Sequence, residues 1–221
     1  EVPGIDDLVD VQYVVEEAPS GAISATFGYS QGTGLILGLG YQESNVFGTG
    51  NSVNLSINQS DFQTAYSFSF FDPYFTTDGV SRGFNLFFRK SDFNERNIAR
   101  FSTDSWGGGV NFGYPISEIS RVGLAFNYEN TTIKEGVFPA QEISRFLSEE
   151  GKQFDLVSVT GSYVMSALNS GLLPSGGRSQ SMRFEATVPG SQLEFYKISY
   201  SGQIFLPLTR NYTIRLRTDL G

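Results

Sequence analysis

Apolar and polar side chains alternate with a period of two along most of this chain. Ile23, Ala25, Phe27 and Tyr29 alternate with Ser24, Thr26 and Gly28, and Leu124, Phe126 and Tyr128 with Ala125, Asn127 and Glu129. Met182, Phe184, Ala186 and Val188 alternate with Arg183, Glu185 and Thr187; Tyr212, Ile214 and Leu216 alternate with Thr213, Arg215 and Arg217. A helix cannot generate this pattern, whereas a pleated strand does so by geometry, because successive side chains leave on opposite faces. Turn-forming clusters such as Ser30-Gln31-Gly32-Thr33, Gly48-Thr49-Gly50-Asn51, Thr77-Asp78-Gly79 and Pro189-Gly190-Ser191 separate the ribbons. The pattern predicts about eleven strands, in windows near 21–30, 33–43, 50–59, 62–72, 81–93, 103–115, 120–133, 155–168, 179–188, 193–207 and 211–219. Consecutive strands joined by alternately tight and longer links are the up-and-down pattern.

Two segments depart from it. Within 139–150, Ile143, Phe146 and Leu147 stand at helical spacing, Pro139 suits an early helix position and Gly151 follows, which predicts a short amphipathic helix in a long loop, packed on the loop's own body or, as the alternative, set against a membrane surface or a partner. Residues 1–19 hold a separate alternation, Val9 to Val15, broken by Glu17-Ala18-Pro19-Ser20. They read as the end of a preceding domain plus a connector, with residues 20–221 as the main unit.

Composition decides which face is wet. The polar faces are rich in uncharged side chains (Ser24, Thr26, Asn54, Ser56, Asn111, Thr160), and charged residues make up only 17% of the chain. There are 25 glycines, and 20 Phe and 11 Tyr accompany a single Trp. Tyr29, Tyr41, Tyr66, Phe75, Tyr114 and Tyr128 suit a ring of aromatics where a membrane meets water. A soluble sandwich would place its apolar faces inward and cover the outside with Lys and Glu. The composition favours the inverted case, an all-β transmembrane antiparallel barrel with apolar side chains toward lipid and polar ones toward a lumen. Eleven strands is an odd number, and an open barrel leaves two edges unpaired in hydrocarbon, so a longer barrel of which this is the front part is expected.

The search for chemistry returns little. With no His and no Cys, triads, thiol nucleophiles and the usual metal ligands are excluded, so neither a catalytic residue nor a metal or other cofactor is assigned. Adjacent carboxylates at Asp6-Asp7, Glu16-Glu17 and Glu149-Glu150 point to opposite faces of any strand. Gly32-Thr33-Gly34, Gly48-Thr49-Gly50 and Gly151-Lys152-Gln153 complete neither a P-loop nor a dinucleotide fingerprint. A net charge of −8 argues against nucleic acid. Arg183, Glu185, Arg215 and Arg217 are candidate lumen charges, alongside Asp219.

A resemblance gives these features a common frame. Asn45-Val46-Phe47-Gly48-Thr49-Gly50, then Asp72-Pro73-Tyr74-Phe75-Thr76-Thr77-Asp78-Gly79-Val80-Ser81, then Gly113-Tyr114-Pro115-Ile116 and Val188-Pro189-Gly190-Ser191 follow one another in the order found in the BamA/TamA-type superfamily of outer-membrane assembly and translocation proteins. The chain is similar to that family throughout its length. Asn45, Gly48 and Gly50 with Asp72, Pro73, Tyr74, Asp78 and Gly79 are its structural motif residues. Two departures stand out. The family's Arg-Gly-Phe/Tyr loop motif is not within these residues, and Asn169–Arg178 matches its Gly-x-x-Pro-Thr-x-Gly turn only loosely.

The resemblance implies a sixteen-stranded barrel in the bacterial outer membrane. Residues 1–19 would then be the end of the last POTRA module and its connector, on the periplasmic side. It implies no enzymatic activity. It implies a lateral seam whose first strand, Gly21, Ala22, Ile23, Ser24, Ala25, Thr26, Phe27, Gly28 and Tyr29, pairs with an incoming strand of a client β-barrel protein. Glycines at 21, 28, 32 and 34 would loosen that strand, and its backbone would carry the activity by strand addition. Implied partners are outer-membrane β-barrel clients, accessory lipoproteins, periplasmic chaperones and the lipid bilayer. A translocation pore of the same superfamily, a passive diffusion channel and a soluble sugar-binding sandwich are the alternatives.

Overall fold

A computed structural model describes residues 18–93, 100–136, 139, 141–209 and 212–221. The strand read at Val9–Val15, and with it the domain assigned to 1–19 apart from its last two residues, lies outside the described residues. Eleven strands form one antiparallel sheet in which every strand pairs with its neighbours in sequence. They are β1 (Gly21–Ser30), β2 (Gly34–Glu43), β3 (Ser52–Gln59), β4 (Gln63–Asp72), β5 (Ser81–Asp92), β6 (Phe101–Ser117), β7 (Ser120–Glu135), β8 (Gln153–Leu168), β9 (Gly177–Thr187), β10 (Tyr196–Pro207) and β11 (Thr213–Leu220). The end of the sheet that carries Gly21 and the β2–β3 turn is here called the lower end.

The registers sort the side chains into two faces. One lateral row runs Ile23, Tyr41, Leu55, Phe68, Leu86 from β1 to β5, and the next runs Ser24, Gly40, Ser56, Ser67 from β1 to β4. The apolar face is uncovered, and its large side chains, Leu86, Trp106, Phe126 and Phe184 among them, are exposed. One hollow of the wall, of about 490 Å³, is lined by Asn85, Asn111, Asn127, Thr160, Ser162 and Arg183 of the polar face. No second sheet covers the apolar side among the described residues, which excludes the sandwich. Among the described residues no helix is long and apolar enough to cross a membrane, a fact that says nothing of strands. A ten-residue strand is about 33 Å long and, tilted by about 40°, covers about 25 Å of hydrocarbon. β6, β7 and β8, of 17, 16 and 16 residues, are long enough to project beyond such a layer.

That projection carries the helix. α1 (Gln141–Glu150) begins two residues after Pro139, not with it, and stops at Gly151, whose φ of +91° closes the last turn by a bond from its N–H to the Leu147 carbonyl at 3.1 Å. Phe146 stacks on Phe154 with ring centroids 5.5 Å apart and planes 20° apart. Leu147 and Phe154 are buried; with Met165 they are the buried apolar core of the described residues. Phe154 shares the polar-face row of Ser105 and Thr131, so α1 packs on its own strand at the upper mouth of the wall. Phe154→Ala is expected to remove about 3 kcal/mol of local stability and free α1. Trypsin cleavage at Arg145 will accelerate, while the sheet's own resistance to urea stays unchanged.

Above the last β8–β9 pair, Ser158 with Thr187, side chains replace the missing strand. The Asp155 N–H donates to Gln192 Oε1 at 2.7 Å, and the Val157 N–H to Ser191 Oγ at 3.2 Å. Backbone groups that a shorter neighbour would leave open are thereby satisfied.

Candidate functional site

β1 is one edge of the sheet and β11 the other. Ten residue pairs join β1 to β2, from Gly21–Glu43 to Ser30–Gly34, and the Ser44 N–H extends the ladder to the Ser20 carbonyl at 2.9 Å. On the apolar face these pairs are well matched: Ile23 with Tyr41, Ala25 with Leu39, Phe27 with Leu37 and Tyr29 with Leu35. On the polar face a glycine stands in four successive pairs, Ser24–Gly40, Thr26–Gly38, Gly28–Ile36 and Ser30–Gly34, so few side-chain contacts hold β1 there. Gly32 and Gly34 prove to lie in the turn and at the head of β2. Gly38 and Gly40 of β2, which the sequence reading did not single out, offer no side chain to Thr26 and Ser24 across the ladder.

Ile23, Phe27 and Tyr29 are 83%, 79% and 78% exposed, far above the residues they face on β2. In an antiparallel edge strand alternate residues direct both N–H and C=O away from the neighbour, so about five of the ten residues present open backbone groups. In hydrocarbon each such group costs several kcal/mol unless another strand pairs with it. The chemistry on offer at this edge is therefore backbone hydrogen bonding beside an apolar side-chain row.

The motif residues build two neighbouring turns at the lower end. Asn45 Oδ1 accepts from the Gly50 N–H at 2.7 Å, and its own N–H reaches Glu43 Oε1 at 3.1 Å. Gly48 and Gly50 hold φ of +75° and +76°. Asp72 Oδ1 accepts from the Tyr74 N–H at 3.2 Å, and the other oxygen lies 3.5 Å from Arg82. Pro73, Tyr74 and Asp78 lie in that β4–β5 turn, which closes through Gly79, φ +83°, whose N–H donates to the Thr76 carbonyl. Phe75 lies in this turn rather than on a strand. The Arg82 guanidinium sits 3.9 Å from its ring centre.

The candidate lumen charges separate into groups. Arg217 donates to both carboxylate oxygens of Asp219, at 2.7 and 3.1 Å, and Ser201 Oγ adds a bond at 2.7 Å. Arg215 lines the same hollow as Arg217, beside Ser181 and Gln203. Arg183 lines the larger hollow together with Arg121, and Glu185 faces Lys197 in register. A cluster missed in the sequence lies higher, where Tyr128 Oη and Asn130 Nδ2 both donate to Asp155 Oδ1, at 2.6 and 2.7 Å. No sequence spacing signals it, because the partners are 27 and 25 residues apart. Among the described residues no group of acidic side chains is placed to hold a metal ion.

Residues 45–221 match the model of the Omp85 superfamily domain. The chain belongs to the Omp85 superfamily. Within it, 99% of the chain is 28% identical to the outer membrane protein assembly factor BamA of Neisseria meningitidis serogroup B. A further 24% identity over 71% of the chain links it to BamA of Buchnera aphidicola. The chain spans only 29% and 27% of the lengths of these relatives. Its fold is that of the crystal structure of BamA from Haemophilus ducreyi lacking POTRA domains 1–3, with a TM-score of 0.75 over 88% of this chain and 39% of that one, at 24% identity. The all-β reading and the resemblance drawn from the two motif turns are thus upheld, and the Omp85 match begins at Asn45, the first residue of the first motif.

Proposed function

We propose that this chain is the front part of an outer-membrane barrel that assembles other β-barrel proteins, and that β1 is the strand on which a client strand is added. The observation that carries the reading is the β1 edge itself: about five of its ten residues with open backbone groups beside an apolar row, tied to β2 with glycine in four polar-face pairs. The names of the relatives, outer membrane protein assembly factors, supply the membrane and the activity. In this reading residues 1–19 join the barrel to a POTRA module on the periplasmic side, which puts the lower turns in the periplasm. Arg183, Glu185, Arg215 and Arg217 face a water-filled lumen. The work is non-enzymatic, because exchanging water or β2 contacts for a client's ladder needs no bond broken and no nucleotide. Accessory lipoproteins and chaperones would deliver clients from the periplasm.

The test is assembly of an unfolded β-barrel client by the full chain reconstituted in phospholipid vesicles, without ATP, scored by the client's protease-resistant folded band. Faster client folding than in empty vesicles supports the reading. Stable ion conductance with no gain in client folding would make it a diffusion channel instead, and export of a soluble passenger would make it a translocation pore.

A further inference from the structure

The turns at the lower end display apolar side chains that nothing in the fold covers. Phe47 is 99% exposed, Leu172 89%, Leu173 82% and Tyr74 80%. The upper links differ: among the described residues none carries a large apolar side chain that is more than half exposed. The contrast is built in, because the tips are held out by their turns. Phe47 sits at φ +51°, a left-handed conformation that costs a bulky residue energy. The turn that imposes it is tied by Asn45 Oδ1 to the Gly50 N–H and by Thr49 Oγ1 to the Val46 carbonyl, both at 2.7 Å. The β8–β9 turn uses the same device. Asn169 Oδ1 accepts from the Ser175 and Gly176 N–H groups at 3.1 Å, and its Nδ2 donates to Ser175 Oγ at 2.8 Å, leaving Leu172 and Leu173 at the tip.

Charge says what these tips meet. Residues 44–51 and 169–176 contain no Lys, Arg, Asp or Glu and residues 73–80 only Asp78, while the two remaining links at this end, 118–119 and 208–212, hold one charged residue each, Glu118 and Arg210. A turn destined for bulk water, or for a charged protein surface, gains nothing from that composition. A turn that dips among phospholipid headgroups avoids the cost of dehydrating a charge. The β4–β5 turn also bends toward the apolar face, where Phe75 packs on Phe112 at 6.5 Å between ring centres.

We propose that the lower turns form a lipid anchor. Phe47, Tyr74, Leu172 and Leu173 enter the boundary between headgroups and acyl chains of the adjacent leaflet and fix the depth of the barrel. This rests on the reading of the sheet as a transmembrane wall. The occupant is phospholipid, recognised by apolar insertion and not by a specific headgroup.

The test uses nitroxide labels on single cysteines at Phe47, Leu172, Gln31 and Leu86 in the full chain, with any cysteine elsewhere changed to serine. The chain is reconstituted in vesicles of phosphatidylethanolamine and phosphatidylglycerol, and collisions with oxygen and with a water-soluble nickel chelate are compared. Leu86, on the apolar face, reports hydrocarbon, and Gln31, at an upper turn, reports water. The proposal expects the labels at 47 and 172 to favour oxygen strongly over nickel, with a ratio between those of Leu86 and Gln31. Nickel access at 47 and 172 equal to that at Gln31 overturns it. So does protection from both reagents, which would mean that a protein surface covers the tips. If Leu86 itself collides with nickel like Gln31, the transmembrane reading has failed, a result distinct from the other two.

Discussion

Proline at Ala25 and proline at Thr26 will have opposite effects, although the residues are adjacent. Neighbouring residues on an antiparallel strand direct their N–H groups to opposite edges. One substitution therefore removes a bond of the β1–β2 ladder, where Ala25 faces Leu39 and Thr26 faces Gly38. The other removes a donor from the open edge. The ladder-side proline will lower the urea midpoint of the folded barrel. The open-edge proline will leave that midpoint unchanged and slow client assembly about tenfold, the worth of one well-made backbone hydrogen bond of about 1.4 kcal/mol. Conservative side-chain changes on the same strand, Ile23→Val and Thr26→Ser, will alter assembly by less than about twofold, because backbone groups carry the pairing. Loss of assembly and loss of stability in the same variant would mean that β1 matters only as part of the wall.

A large effect on folding is expected at Gly107, within β6. A Cβ there would lie 2.2 Å from the Tyr128 carbonyl oxygen, 3.0 Å from Glu129 Cα and 3.1 Å from the Phe87 ring. Two of these neighbours are backbone of the paired strand and cannot rotate away, so Gly107→Ala is expected to cost about 3 kcal/mol. Gly161 is the control, since it lies within β8 and a Cβ would meet nothing within 4 Å. Gly161→Ala should change stability by less than about 0.5 kcal/mol. Urea titration of the two refolded variants in detergent, side by side, checks the difference. Equal midpoints would show that the sheet yields more readily at β6–β7 than its geometry allows.

Much of the fold could be read from the chain because its signals are local. Each strand announces itself by alternation, as Tyr212–Arg217 does, and turns such as Asn45–Gly50 and Asp72–Ser81 by glycine and asparagine at fixed places. With links this short, sequential antiparallel pairing follows. What the sequence withheld is set by register, which joins residues far apart. The Asp155 contacts with Tyr128 and Asn130 arise only once β7 and β8 are aligned. The landing of Phe146 on Phe154 needs α1 to fold back onto β8. The placing of Gly38 and Gly40 opposite Thr26 and Ser24 needs the β1–β2 pairing. Phe47 read as one more apolar residue in a motif; its full exposure depends on the turn that holds it out. The reverse holds for the β1 edge, where the residues were evident but strand addition is a property of the edge and of a partner outside the chain.

The most direct test of strand addition at β1 places one cysteine at Ser24 or Thr26 of the full chain and another at successive positions along the terminal strand of a client barrel stalled during insertion. A β ladder brings side chains of one face together at every second residue. The account predicts disulfides at alternate client positions, shifting by two when the cysteine moves from Ser24 to Thr26. Client insertion that proceeds at its normal rate with no such disulfide from either position would contradict it.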